Sequence, residues 1–202
     1  MPDPENQWPD GHDPDLWRPD LHPIPEPFFS EETGAPFACC IECERSLAEM
    51  DGPYMVQKCS NGRETIFEFA ICAPCAERLH RSYSEASRQS ISRFFHSHVD
   101  LDARVRTLRE GGSADLERWI GDCMTCGSPR RPGEGHATAA LCAGADILFS
   151  HAPFRICSRC EIELNELVSP ETRNEWDRFV GRNFDLPPSE SLTPDRPGIL
   201  MV

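Results

Sequence analysis

"CIECERSLAEMDGPYMVQKCSNGRETIFEFAICAPC" runs from Cys40 to Cys75 and both opens and closes on Cys-x-x-Cys. Two thiolates at i and i+3 of a tight turn can point at one ion. Two such turns brought together supply four sulfurs to one tetrahedral centre, at about 2.3 Å per bond. The 28 residues between Cys43 and Cys72 leave room for a knuckle, a β-hairpin and a helix. "PYMVQKC" and "TIFEFAI" are β-rich runs on either side of Asn61-Gly62, a strong turn signal. Phe67, Phe69 and Ile71 alternate onto one strand face. "CAPCAERLHRSY" then turns helical at the second cysteine pair, where the helix dipole favours thiolate over thiol.

The same arrangement recurs. Cys40, Cys43 and Cys59 stand 83 positions before Cys123, Cys126 and Cys142. At an offset of 85, Phe69, Ile71, Cys72 and Cys75 match Phe154, Ile156, Cys157 and Cys160, followed by Ser84, Arg88 and Phe94 against Ser169, Arg173 and Phe179. Ile91 meets Trp176 at that offset, and Phe37 meets Ile120 at the earlier one. Self-similarity over this length reads as an internal duplication. Ser84 and Ser169 are expected N-caps, with Pro170 in the first helical position of the later helix. Ile91, Phe94 and Phe95 in one helix, and Trp176, Phe179 and Val180 in the other, form apolar stripes whose expected role is core packing. "DLDARVRTLREGG" and "SADLERWIGD" read as short helices between the units.

Eight of the eleven cysteines fall into four Cys-x-x-Cys pairs, a pattern of metal ligation rather than of disulfides. The expected ligand sets are Cys40, Cys43, Cys72 and Cys75 for one centre, and Cys123, Cys126, Cys157 and Cys160 for the other, with one zinc each. Cys40 rather than Cys39 keeps both the i, i+3 spacing and the repeat offset. Iron in a rubredoxin-like site uses similar pairs, but its knuckles favour glycine after the second cysteine. Here only Gly127 fits, against Glu44, Ala76 and Glu161. A redox Cys-x-x-Cys would need a βαβ setting that is missing, and ligation crossed between the units would need longer loops to close. Cys39, Cys59 and Cys142 remain. All three are candidate core or redox-sensitive thiols, and the last two are expected at equivalent strand ends, where small apolar filler is the ordinary role.

The 202 residues carry 20 basic and 34 acidic side chains, a net charge of −14, which disfavours nucleic acid as a partner. Lys58 is the one lysine. With 8% aromatics and a mean hydropathy of −0.50, the apolar supply is modest, and metals are an expected source of stability. Residues 1–36 hold nine prolines and nine acidic residues against Arg18 alone, so an extended arm is expected. Its Trp8, Trp17, Leu21, Ile24, Phe28 and Phe29 suggest docking, on its own domains or on a partner protein. Residues 183–202 form a proline-rich tail ending in "GILMV", a candidate edge strand or partner ligand. The start of the chain has no signal or transit pattern, and no run is long enough to span a membrane, so a reducing cytoplasm is expected. His80 and His136 read as ordinary histidines. With four sulfurs per centre and no phosphate loop or nucleophile elbow, no enzyme is expected.

The expected architecture is therefore α+β. Two tandem zinc-binding units of knuckle, hairpin and helix occupy 37–98 and 120–182, a helical linker occupies 99–119, and an arm and a tail flank them. Each unit resembles the treble-clef zinc domains. "TIFEFAICAPC", "SRQSISRFF", the "CMTC" and "SRC" pairs and the late "LPP" together resemble an uncharacterised bacterial family of duplicated Cys-x-x-Cys proteins, from about residue 36 onwards. The resemblance implies fold and metal and carries no activity. The function expected is that of a non-catalytic adaptor held rigid by zinc, with a redox-responsive zinc switch or an iron electron carrier as alternatives.

Overall fold

A computed structural model of the chain describes residues 18–184 except 63, 111, 113 and 114. Six strands form one antiparallel sheet flanked by six α-helices, so the α+β class holds. The strands are β1 (Asp20–Pro23), β2 (Tyr54–Asn61), β3 (Glu64–Cys72), β4 (His136–Ala143), β5 (Asp146–Phe149) and β6 (Phe154–Cys157). The helices are α1 (Ala73–Ser82), α2 (Glu85–His98), α3 (Leu101–Glu110), α4 (Leu116–Ile120), α5 (Ser158–Glu166) and α6 (Pro170–Asn183). Gly62 turns β2 into β3 with φ 77°, a left-handed conformation that asparagine-glycine turns supply at little cost.

The two hairpins do not stand apart. β2 pairs with β4 over seven residues, which merges both into one sheet with the order β1-β5-β4-β2-β3, while β6 joins the far side of β4. An isolated hairpin is marginal in water, and pairing the two first strands removes an open edge from each.

Gln57 faces Ala139 at the centre of this pairing, and the flanking pairs Tyr54–Cys142 and Ser60–His136 exchange under a two-fold axis through that point. The same exchange holds in the helix layer. Ser84 N donates to Thr172 Oγ1 at 3.0 Å, Ser169 N donates to Ser87 Oγ at 2.8 Å, and the Ser84 and Ser169 hydroxyls meet at 3.0 Å. Both serines cap their helices as expected, accepting from Ser87 N and Thr172 N.

The register corrects one sequence expectation. Tyr54 pairs with Cys72 in the first half, and His136 pairs with Cys157 in the second. The strands thus correspond at an offset of 82, not 83, because the loop after the second knuckle is one residue shorter. Cys59 therefore corresponds to Leu141 and not to Cys142. A one-residue slip reverses the face of a strand, so Cys59, which pairs with Ala137, and Cys142, which pairs with Tyr54, lie on opposite sides of the sheet.

The core fills both faces. Phe67 and Phe69 share one face as expected and meet Trp176, Phe179 and Phe184, with Phe69 to Phe179 at 5.4 Å and Phe67 to Phe184 at 5.5 Å between ring centres. α6 of the second half thus covers a strand of the first. Part of the expected arm belongs to the fold: β1 pairs with β5, and Ile24 and Phe28 are buried. Lys58 fixes this segment by donating to Phe29 O at 2.7 Å while facing the carboxylates of Glu68 at 3.0 Å and Glu31 at 3.7 Å. Ile24 and Phe28 explain the docking, since the small sheet offers them the burial that a proline-rich segment cannot build alone, whereas Leu21 stays 54% exposed on β1. Trp8, Trp17 and the terminal "GILMV" lie outside the described residues. No helix among the described residues is long and apolar enough to cross a membrane.

Candidate metal centres

Each centre is assembled from one knuckle and one helix start. In the first knuckle Cys40 N donates to Arg45 O at 3.0 Å and Glu44 N to Cys40 O at 2.8 Å, which closes a turn around Ile41-Glu42-Cys43. In the second, Cys123 N donates to Ser128 O at 2.8 Å and Gly127 N to Cys123 O at 2.8 Å. The fifth residue of each turn is left-handed, Glu44 at φ 57° and Gly127 at φ 67°. The glycine that is missing from the first knuckle is thus replaced by a strained glutamate in the same conformation. Ile41 N to Ala70 O at 2.9 Å and Met124 N to Arg155 O at 2.8 Å sew the knuckles to β3 and β6.

Cys72 and Cys157 end those strands as the N-caps of α1 and α5, and Cys75 and Cys160 fall in the first helical turn. Cys40, Cys43, Cys72 and Cys75 come together with all sulfurs within 4.8 Å of one another, and so do Cys123, Cys126, Cys157 and Cys160. The Cys43–Cys72 and Cys126–Cys157 sulfurs are both 3.8 Å apart. A tetrahedron with bonds of about 2.3 Å has edges of about 3.8 Å. All eight expected ligands are therefore in place, in uncrossed sets, and each set could hold one metal ion. Among the described residues only sulfur contributes: His80 and His136 belong to neither cluster.

The surroundings favour thiolate at Cys40, Cys123 and Cys126. Burial pushes the Cys40 thiol up, but amide hydrogen bonds from Cys72, Cys43 and Glu42 outweigh it and bring it down to about 7. Burial also raises Cys126, and the Ser128 hydroxyl and amide, with Cys160 and Arg159, bring it down to about 6. Cys123 is lowered as well, where the Thr125 hydroxyl and three amides overcome burial. On the helix side Cys72, Cys75 and Cys160 are raised, by burial first and then mostly by neighbouring sulfurs. Cys72 N and Cys157 N each donate to the first knuckle sulfur at 3.4 Å, and Arg78 donates to Cys75 Sγ at 3.0 Å. A divalent cation at the centre converts the mutual repulsion of four sulfurs into attraction and takes thiolate from all of them.

The other three cysteines separate clearly. Cys39 is exposed beside the first knuckle, while Cys59 and Cys142 are fully buried. Burial and the nearby Glu161 push the Cys59 thiol well up, and burial pushes Cys142 to about 12. A buried thiol held in the protonated form is a poor nucleophile, so both fit the reading as apolar filler.

Two functional neighbours escaped sequence reading. Arg155, 1% exposed, donates to the carbonyls of Ile120 at 3.1 Å, Gly121 at 3.2 Å and Ser128 at 2.6 Å, bracing the second knuckle from within. Glu161, also 1% exposed, holds two carboxylate oxygens without a hydrogen-bond partner among the described residues, and burial raises its carboxyl well above the usual range. The repeat held the signal: Ala70 and Ala76 occupy the corresponding places, so a charged side chain replaces a methyl at two core positions.

Comparison with protein-family models, curated proteins and solved structures yields no match for this chain. The site is read from its own geometry.

Proposed function

We propose that the protein is a non-catalytic scaffold built by duplication from two treble-clef-like units, each closed around one structural zinc, and that it presents its surface and flanking segments to another protein. The observation that carries this reading is the pair of four-sulfur clusters with tetrahedral spacing. Four protein ligands per ion leave no open position for substrate, the feature that separates structural from catalytic zinc. Both clusters sit where hairpin meets helix, so metal binding fastens the elements that a modest core holds weakly. The segments before residue 18, with Trp8 and Trp17, and after residue 184, with Ile199 to Val202, supply apolar contacts for the partner. The resemblance to the duplicated Cys-x-x-Cys family belongs to this reading too, as does a cytoplasmic setting.

The test is chelation of the purified full chain. Near-complete loss of structure on removal of two zinc ions per chain is the expected result, since structural zinc supplies on the order of 10 kcal/mol per site. Retention of native structure after complete metal removal would overturn the reading. The same sulfurs would also hold iron, and elemental analysis with a visible spectrum separates an electron carrier from a scaffold.

A further inference from the structure

The two centres share a backbone frame but not their cover. In the first, the Cys43 sulfur belongs to a half-buried residue and the other three ligands are buried. Its knuckle is tied down by the end of α6, where Arg182 and Asn183 donate to the Glu42 carboxylate at 3.1 and 2.8 Å. In the second, the residue in the place of Glu42 is Thr125, whose hydroxyl turns inward to Cys123 Sγ at 3.1 Å. Cys126 is exposed, the only exposed residue among the eight ligands. Its sulfur lies 3.1 Å from the Ser128 hydroxyl, with the exposed Arg159 guanidinium alongside.

We infer that the second centre is a disulfide-reactive metal site, opened through Cys126 by low-molecular-weight disulfides, while the first centre stays closed. The inference rests on the metal reading above. The Cys126 sulfur attacks one sulfur of the disulfide, and its bond to the metal breaks as the new S–S bond forms. The other half of the reagent leaves as a thiolate with the electron pair of the broken S–S bond, so no further oxidant is needed. Cys123, Cys157 and Cys160 would then be the cluster sulfurs left to hold an ion, which would be open to competing ligands. Cys59 and Cys142, fully buried, take no part. The thiol that opens the site is thus a metal ligand and neither of the two buried spare cysteines.

The experiment uses the full zinc-loaded chain carrying Cys39→Ser, which removes the one exposed cysteine outside the clusters. Zinc content is first fixed by elemental analysis. Glutathione disulfide is then added, zinc release is followed with a chromophoric chelator, and adducts are located by peptide mass spectrometry. One zinc per chain should leave in a first phase with the first adduct on Cys126, and the second zinc at least about tenfold more slowly. Equal release from both centres, or a first adduct on Cys43, would overturn the inference and leave the metal reading intact. A chain that binds no zinc overturns the metal reading itself.

Discussion

In both halves of the molecule the first knuckle sulfur accepts from the amide of the third cysteine at 3.4 Å, and the knuckle is sewn to its strand by one backbone bond. Around that shared frame the two halves solve support differently. The first knuckle is held from outside, by the Glu42 clamp to α6. The second is held from inside, by the Arg155 guanidinium on three carbonyls, and is left open outside at Cys126. The two halves share the geometry that a tetrahedral ion demands and differ in their bracing, because many contacts can hold a turn and few can hold a metal.

The largest expected effect breaks the pair. Cys75→Ser and Cys160→Ser should each reduce the metal content to one per chain. Because β2 and β4 pair directly, loss of either centre should lower amide protection in both hairpins by hydrogen exchange. Protection lost in one half only would show that the shared sheet does not couple them. Next comes Arg155→Met, which takes the guanidinium from the Ile120, Gly121 and Ser128 carbonyls, the last two of which keep an amide donor in Arg130 N and Cys123 N. It should cost about 2–4 kcal/mol in urea unfolding of the metal-loaded chain, with no counterpart at Ala70.

Glu161→Met should go the other way, stabilising by about 1–3 kcal/mol, since a buried carboxyl without a hydrogen-bond partner among the described residues is replaced by an apolar side chain of similar length. The sign of its pH dependence follows from the raised carboxyl. Below the ordinary carboxylate range both folded and unfolded chains hold the proton. As pH rises past that range, the unfolded chain releases it and the folded chain does not, so folding loses stability with rising pH. The advantage of Glu161→Met over the parent should therefore grow as pH rises through and past the ordinary carboxylate range. An advantage that is flat with pH would mean that the carboxyl is solvated or paired.

The smallest effects lie at the fifth knuckle position. Gly127→Ala should cost about 1 kcal/mol, because its left-handed φ of 67° strains any side chain although space is free there. Glu44→Gly should be neutral or stabilise by up to about 1 kcal/mol, as strain relief and lost chain stiffness nearly cancel. Thermal melts of the two metal-loaded variants check the pair.

Much of this was legible in the sequence because ligand spacing is a hard constraint. Four Cys-x-x-Cys pairs named all eight sulfurs in the clusters, and Asn61-Gly62, Ser84 and Ser169 placed a turn and two caps. What stayed hidden depends on register and on long-range contacts. The Cys59 and Cys142 match looked equivalent at offset 83, yet strand pairing follows 82, and a single residue reverses the face. The merging of two hairpins into one sheet leaves no local mark, since β2 and β4 read the same paired or alone. Arg155 and Glu161 were passed over because charged residues are expected at the surface; only alignment of the two halves against each other sets them opposite alanines.

The central claim is that each cluster binds one metal through four thiolates. X-ray absorption at the zinc edge, on protein assayed for metal content, tests it most directly. Two zinc ions per chain with a single shell of four sulfurs at about 2.3 Å is the expected result. A shell containing nitrogen or oxygen, or fewer than two ions per chain, would contradict it.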